Sequence, residues 1–135
     1  MSESAAAVVR RLFDRLEQAG VEPALELLAA DALLIVPPEA SAEPDTYKGH
    51  EGARRYFAGF DGVLDDIHFD LREIEEISED AVLAKMTLRG HGAATGIPVE
   101  QTLFLAVTVQ DGLISRMTPG VNRRSALAGL ERAAG

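Results

Sequence analysis

Val99-Glu100-Gln101-Thr102-Leu103-Phe104-Leu105-Ala106-Val107-Thr108-Val109-Gln110-Asp111-Gly112-Leu113-Ile114-Ser115-Arg116-Met117-Thr118 is the stretch whose reading decides the fold. Apolar residues recur at every second position up to Gln110, which is the period of a strand. Asp111-Gly112 is a two-residue turn signal, because both central positions of the favoured hairpin turn need a positive φ. Leu113 to Thr118 then returns antiparallel, with Gln110 opposite Leu113. In an unbroken ladder that pairing assigns each side chain to a face. One face carries Leu103, Leu105, Val107 and Val109 with Ile114; the other carries Glu100, Thr102, Phe104, Ala106 and Thr108 with Leu113, Ser115 and Met117. The first is apolar and the second mixed, whereas a sheet with one wet side has one polar face. Both faces are therefore expected to be covered. Helices in so short a chain cover one of them, and a second copy is expected on the other, giving a homodimer through the sheet.

Upstream of the hairpin the same period continues. Ile67, Phe69 and Leu71 alternate with His68, Asp70 and Arg72, and Ile74 then shifts the phase as a bulge would. Ser78-Glu79-Asp80 reads as a turn, Ala81 to Arg89 as a strand, and Gly90 to Pro98 as a Gly-rich connection. The first half of the chain has helical spacing instead. Val8, Val9, Leu12, Phe13 and Leu16 predict a helix over Ala5 to Ala19, with Ser4 as N-cap and Gly20 as stop. Pro23 suits the first turn of a second helix reaching Ala30, and Ala32 to Val36 reads as a buried strand ended by Pro37-Pro38. Glu39 to Thr46 reads as a mobile rim loop. Ala53, Tyr56, Phe57 and Phe60 form the apolar stripe of a third helix, and Ala126, Leu127 and Leu130 mark a short C-terminal one. The class is α+β, helices first and sheet second, in one domain over residues 1–135.

Composition narrows the chemistry. A chain of 135 residues, nearly half of them apolar, holds one core. The absence of cysteine removes disulfides, thiolate metal sites and cysteine nucleophiles. A formal charge of -9 argues against nucleic acid, since phosphate binding rests on a basic surface. The doublets Arg10-Arg11, Arg54-Arg55 and Arg123-Arg124 read as solvated faces. Nine of the 22 acids fall between Asp61 and Asp80, without the spacing of a calcium loop, and read as a solvated sheet edge. The three histidines, His50, His68 and His91, lie too far apart for a metal motif, so neither metal nor cofactor is expected. The first residues lack a basic n-region and no apolar run approaches about 18 residues, so no membrane association and a cytoplasmic location are expected.

The order of elements resembles the cone-shaped fold of nuclear transport factor 2, ketosteroid isomerases, limonene epoxide hydrolases and SnoaL-like polyketide cyclases. Tyr47-Lys48-Gly49-His50-Glu51-Gly52-Ala53-Arg54-Arg55-Tyr56-Phe57 is similar to the lead into the third helix of SnoaL-like proteins, and Gly96-Ile97-Pro98-Val99-Glu100-Gln101, Gln110-Asp111-Gly112-Leu113-Ile114 and Ser125-Ala126-Leu127 are similar to the rest of that pattern. The resemblance implies three N-terminal helices packed on a strongly curved, mixed or antiparallel sheet, with a pocket inside. Phe57, Thr102, Phe104 and Met117 are the expected ligand-binding residues, and a small apolar organic molecule is the expected ligand.

The superfamily's chemistries make different demands. A ketosteroid isomerase uses a carboxylate base and an oxyanion hole of tyrosine and protonated aspartic acid. The matching places here hold Phe13, Val36 and Phe104, so that activity is not expected. Limonene-type hydrolysis places a carboxylate two residues after an arginine, where this chain reads Arg89-Gly90-His91. Glu100 and His91 remain as candidate catalytic residues for a cofactor-independent cyclase, isomerase or hydrolase. A binding module without catalysis is the first reading, this enzyme the second, and a dimeric interaction module with a filled cone the third.

Overall fold

The computed structural model describes residues 4–36 and 45–134. Helix α1 (Ala5–Ala19) starts where Ser4 Oγ accepts the Ala7 N–H at 3.1 Å, and ends where Gly20, at φ 90°, donates its N–H to the Arg15 carbonyl. Its buried stripe is Val8, Val9, Leu12 and Phe13, the face the spacing predicts. Helix α2 (Val21–Ala24) is only one turn long and tightens into a 3₁₀ turn at Leu25–Leu27. It does not reach Ala30 as expected. Leu25, Leu27 and Leu28 are all buried, and a helix through them would turn Leu27 away from the face shared by Leu25 and Leu28. Entering a strand at Leu28 buries all three.

Strand β1 (Leu28–Val36) and the short β2 (Asp45–Lys48) form an antiparallel pair, with Leu34 opposite Tyr47. The rim loop expected over Glu39 to Thr46 lies mainly outside the described residues, and its last residues, Asp45 and Thr46, belong to β2. Helix α3 (Gly49–Ala58) follows without a linker. Gly49 sits at φ 67°, and a Cβ there would stand 2.8 Å from the Ala30 carbonyl oxygen, so this close approach to β1 requires glycine.

Strands β3 (Leu64–Glu76), β4 (Ala81–Gly92), β5 (Pro98–Gln110) and β6 (Leu113–Gly120) form the long meander, and helix α4 (Arg123–Ala134) closes the described chain. The sheet has six strands in the order β2-β1-β6-β5-β4-β3, antiparallel except for the parallel pair β1 and β6. The expected phase shift at Ile74 is present: Leu71 pairs with Met86 and Glu73 with Lys85, leaving Arg72 as the extra residue. Asp111 (φ 53°) and Gly112 (φ 78°) make the hairpin turn. The Gly-rich connection is shorter than expected, since Gly90 pairs with Val99 and His91 with Pro98, which leaves residues 93–97 as the turn.

The facewise reading needs one correction. Val109 pairs with Ile114, but Thr108 pairs with Arg116 and Val107 with Met117, so Ser115 is a bulge in β6. The extra residue moves Met117 onto the face of Leu105 and Val107. That inner face, with Val82, Ala84, Met86 and Leu88 of β4, packs against α1 and the segment that follows it in one core.

The outer face is also covered, and from within the chain. Helix α4 lies on it, with Ala126 packed against Leu83 and Ala106 and with Phe104, Leu127 and Leu130 around them. Gly129 has no room for a Cβ, which would stand 2.6 Å from Thr118 Cγ2. The expectation of a second subunit assumed that no helix was left for this face. α4 supplies that cover over β4 to β6, and the strand ends it leaves open carry Glu100, Thr102 and Arg89.

Candidate functional site

The inner face and the helices enclose a cavity of about 50 Å³. Its wall draws on four N-terminal segments: Leu12, Phe13 and Leu16 of α1, Ala24 and Leu25 after it, Leu28 and Leu34 of β1, and Tyr56 and Phe57 of α3. The sheet contributes Phe69, Met86, Leu105, Met117 and Pro119. The aromatic side is held edge to face. Phe57 and Phe69 have centroids 5.8 Å apart, and Tyr56 touches Tyr47, Phe57 and Phe60 at 5.4, 5.4 and 5.6 Å. Such contacts add to area burial and fix ring orientation. Among the described residues of the wall, Tyr56 alone carries a polar side chain, and burial pushes its hydroxyl above the ordinary phenol pKa.

Phe57 and Met117 thus line the cavity. Phe104 and Thr102 do not: Phe104 lies on the outer face with α4, and Thr102 is exposed. Glu100 and His91 are exposed on the β4–β5 pair, Glu100 opposite Arg89 and His91 opposite Pro98, and neither reaches the cavity. Of the three places compared with ketosteroid isomerases, Phe13 lines the cavity, Val36 is buried and Phe104 faces outward. The inward neighbours Leu103 and Leu105 are equally apolar, so the lack of a base and an oxyanion donor at these places stands.

A second, polar groove lies beside the first and shares Phe13 and Phe69 with it. Arg10, Asp14 and Glu17 of α1 face Asp70 and Arg72 of β3 and Arg89 of β4 across it. Arg89 grips Asp70 through Nε and Nη2, and Arg72 Nε donates to Thr87 Oγ1 at 3.1 Å. The Arg89 guanidinium holds the Asp70 carboxyl below the usual carboxylate range. His68 sits with Nδ1 2.8 Å from Glu17 Oε1 and Nε2 3.4 Å from Asp66 Oδ1. Its pKa is raised, chiefly by the Glu17 hydrogen bond. Sequence reading missed this groove because its acids and bases come from α1, β3 and β4, and no short spacing links them. The one local signal was the polar alternation His68, Asp70, Arg72.

His50 Nε2–H donates to the Leu28 carbonyl at 2.9 Å and ties α3 to β1. Among the described residues no group of three or more histidines or acids has the geometry to hold a metal, and no helix is long and apolar enough to cross a membrane.

The model of the SnoaL-like domain matches residues 9–117, from α1 to Met117 at the cavity wall. The chain belongs to the SnoaL-like domain family. A search of curated proteins finds no match. Solved structures share the fold of this SnoaL-like domain. A putative SnoaL-like polyketide cyclase from Jannaschia sp. CCS1 is 16% identical with a TM-score of 0.70, over 86% of this chain and 83% of that one. A hypothetical protein of ketosteroid isomerase-like fold from Catenulispora acidiphila, solved with trimethylamine, is 16% identical with a TM-score of 0.72, over 90% and 89%. A Mycobacterium tuberculosis protein solved with estradiol-17beta-hemisuccinate is 19% identical with a TM-score of 0.72, over 90% and 97%. At these identities the likeness establishes the NTF2-like, ketosteroid isomerase-like cone and nothing about the reaction.

Proposed function

We propose that this SnoaL-like domain works as one unit over residues 1–135 and takes a small, mostly apolar organic molecule into its cone, without a metal or cofactor. The observation that carries this reading is the apolar cavity walled by α1, β1, α3 and the inner face of the sheet. Proteins of the same fold have been solved with small organic molecules, trimethylamine in one and estradiol-17beta-hemisuccinate in another, which supports small-molecule binding as such and not the class of ligand. The ligand is small, because about 50 Å³ is far below the roughly 300 Å³ of a drug-sized site. Acid–base chemistry by Glu100 or His91 gains no support from their placement in solvent.

The size of the cavity also favours a second reading, an interaction module whose cone is filled by its own side chains. Two of the three methionines, Met86 and Met117, line the cavity. With methyl-labelled methionine, benzene or xenon is expected to shift the Met86 and Met117 resonances saturably. Unchanged Met86 and Met117 signals would favour the filled cone. The homodimer belongs to this proposal in a narrower form, across the polar strand ends beside α4. A monomeric mass by light scattering at micromolar concentration would remove it.

A further inference from the structure

The wall of the cavity poses a chemical question of its own. Its described side chains are apolar except one, and that one is a phenol on α3. Tyr56 is half-buried, and the rings of Tyr47, Phe57 and Phe60 hold its own ring from three directions. Among the described residues none hydrogen-bonds its hydroxyl, although buried hydroxyls ordinarily find a partner. Nor is the hydroxyl sealed away, because no fully enclosed side-chain oxygen or nitrogen among the described residues lacks a partner. A hydroxyl that is desolvated, accessible and unpaired has its hydrogen bond still to make.

We infer that Tyr56 is the specificity-determining residue of the cone, and that the ligand it selects is a compact neutral molecule carrying one oxygen acceptor, such as a ketone, aldehyde or ether, on an otherwise apolar frame. This rests on the proposal that the cone binds a ligand. Burial keeps the phenol protonated at neutral pH, so it is a standing donor. Acids and amines are selected against. A carboxylate or ammonium group entering this cavity would lose its hydration and meet no counter-charge on the described wall. Hydrocarbons fit the frame but leave the hydroxyl unpaired, so they gain nothing from Tyr56.

The test compares cyclopentanone with cyclopentane, which share size and shape, in the wild type and in Tyr56→Phe, reading the Met86 and Met117 methyl shifts. Tyr56→Phe keeps the ring contacts and removes only the hydroxyl. The ketone is expected to lose roughly two- to tenfold in affinity, the scale of one hydrogen bond. Cyclopentane is expected to bind both proteins alike, a result that a general loss of packing would not give. Equal ketone affinity in both proteins overturns the inference while leaving the binding proposal intact. Failure of both probes to bind the wild type overturns the two together.

Discussion

Deleting Ser115 is expected to leave the fold intact, against the usual rule that losing one residue from a strand reverses every side chain beyond it. With the bulge, Ile114 and Met117 both face inward across two intervening residues, Ser115 and Arg116. Removing one leaves a regular alternation with the pairs Val109 to Ile114, Thr108 to Arg116 and Val107 to Met117 unchanged. The opposite neighbour has slack as well, since β1 pairs Leu28 with Ile114 and Leu33 with Arg116. The identified loss is the bond from Ser115 Oγ to the Thr108 carbonyl at 3.1 Å, about 1 kcal/mol, partly offset because one residue fewer must be ordered. Were the ladder unbroken, the deletion would expose Met117, at about 2–3 kcal/mol for its side chain, and press Arg116 into the core at several more. Urea unfolding separates the cases. A cost near 1 kcal/mol shifts the midpoint by roughly 0.3–1 M, and the larger cost leaves little cooperative transition. Deletion of Leu105, in an uninterrupted part of the same ladder, serves as the disruptive control. A Ser115 deletion that behaves like it, or that leaves the Met117 methyl in solvent, refutes the bulge reading.

The His68 clasp gives a pH-dependent outcome. Glu17 of α1 and Asp66 of its own strand favour the charged ring, and Arg89 across on β4 opposes it. Because the folded pKa is raised, the stabilisation is complete below the ordinary imidazole value of about 6.5 and disappears as pH rises through the folded value. His68→Gln is expected to remove this fall in stability on the alkaline side, read by thermal unfolding at low salt, where exposed pairs are least screened. Equal pH profiles for the two proteins would dismiss the clasp. Gly129→Val is expected to lift α4 from Thr118 and to expose Leu83 and Ala106, seen as faster amide exchange in β4 and β5 with the inner core still folded. An unchanged exchange pattern would show that α4 does not seal the outer face.

The parts of the fold that were legible are those with local causes. Ser4 and Gly20 bracket α1, Asp111-Gly112 turns the hairpin, and the misplaced Ile74 announces its bulge by breaking an otherwise strict alternation. The Ser115 bulge gave no such notice, because Ser115 and Arg116 are both polar enough for either face and Met117 suits either. Leu25 to Leu28 misled in the opposite way: a run of apolar residues is compatible with helix and strand, and tertiary burial decided it. The site followed the same division. Phe57 was readable from the helical stripe, while Thr102 and Phe104 were placed inside by a face assignment that did not set the expected C-terminal helix on their face. Tyr56 was read as one residue of the α3 stripe, and only the enclosure of the cavity sets its hydroxyl apart.

The parallel pair of β1 and β6 has a consequence for the order in which the protein comes into being. Residues near position 30 find a partner strand only near position 115, and that partner, β6, is central in the sheet. Until β6 leaves the ribosome, nothing joins β1 and β2 to the meander of β3, β4 and β5, and the buried side chains of β1 lack that side of the core. A nascent chain halted before Leu113 is therefore a sticky client for holding chaperones, and the core closes only in about the last sixth of synthesis.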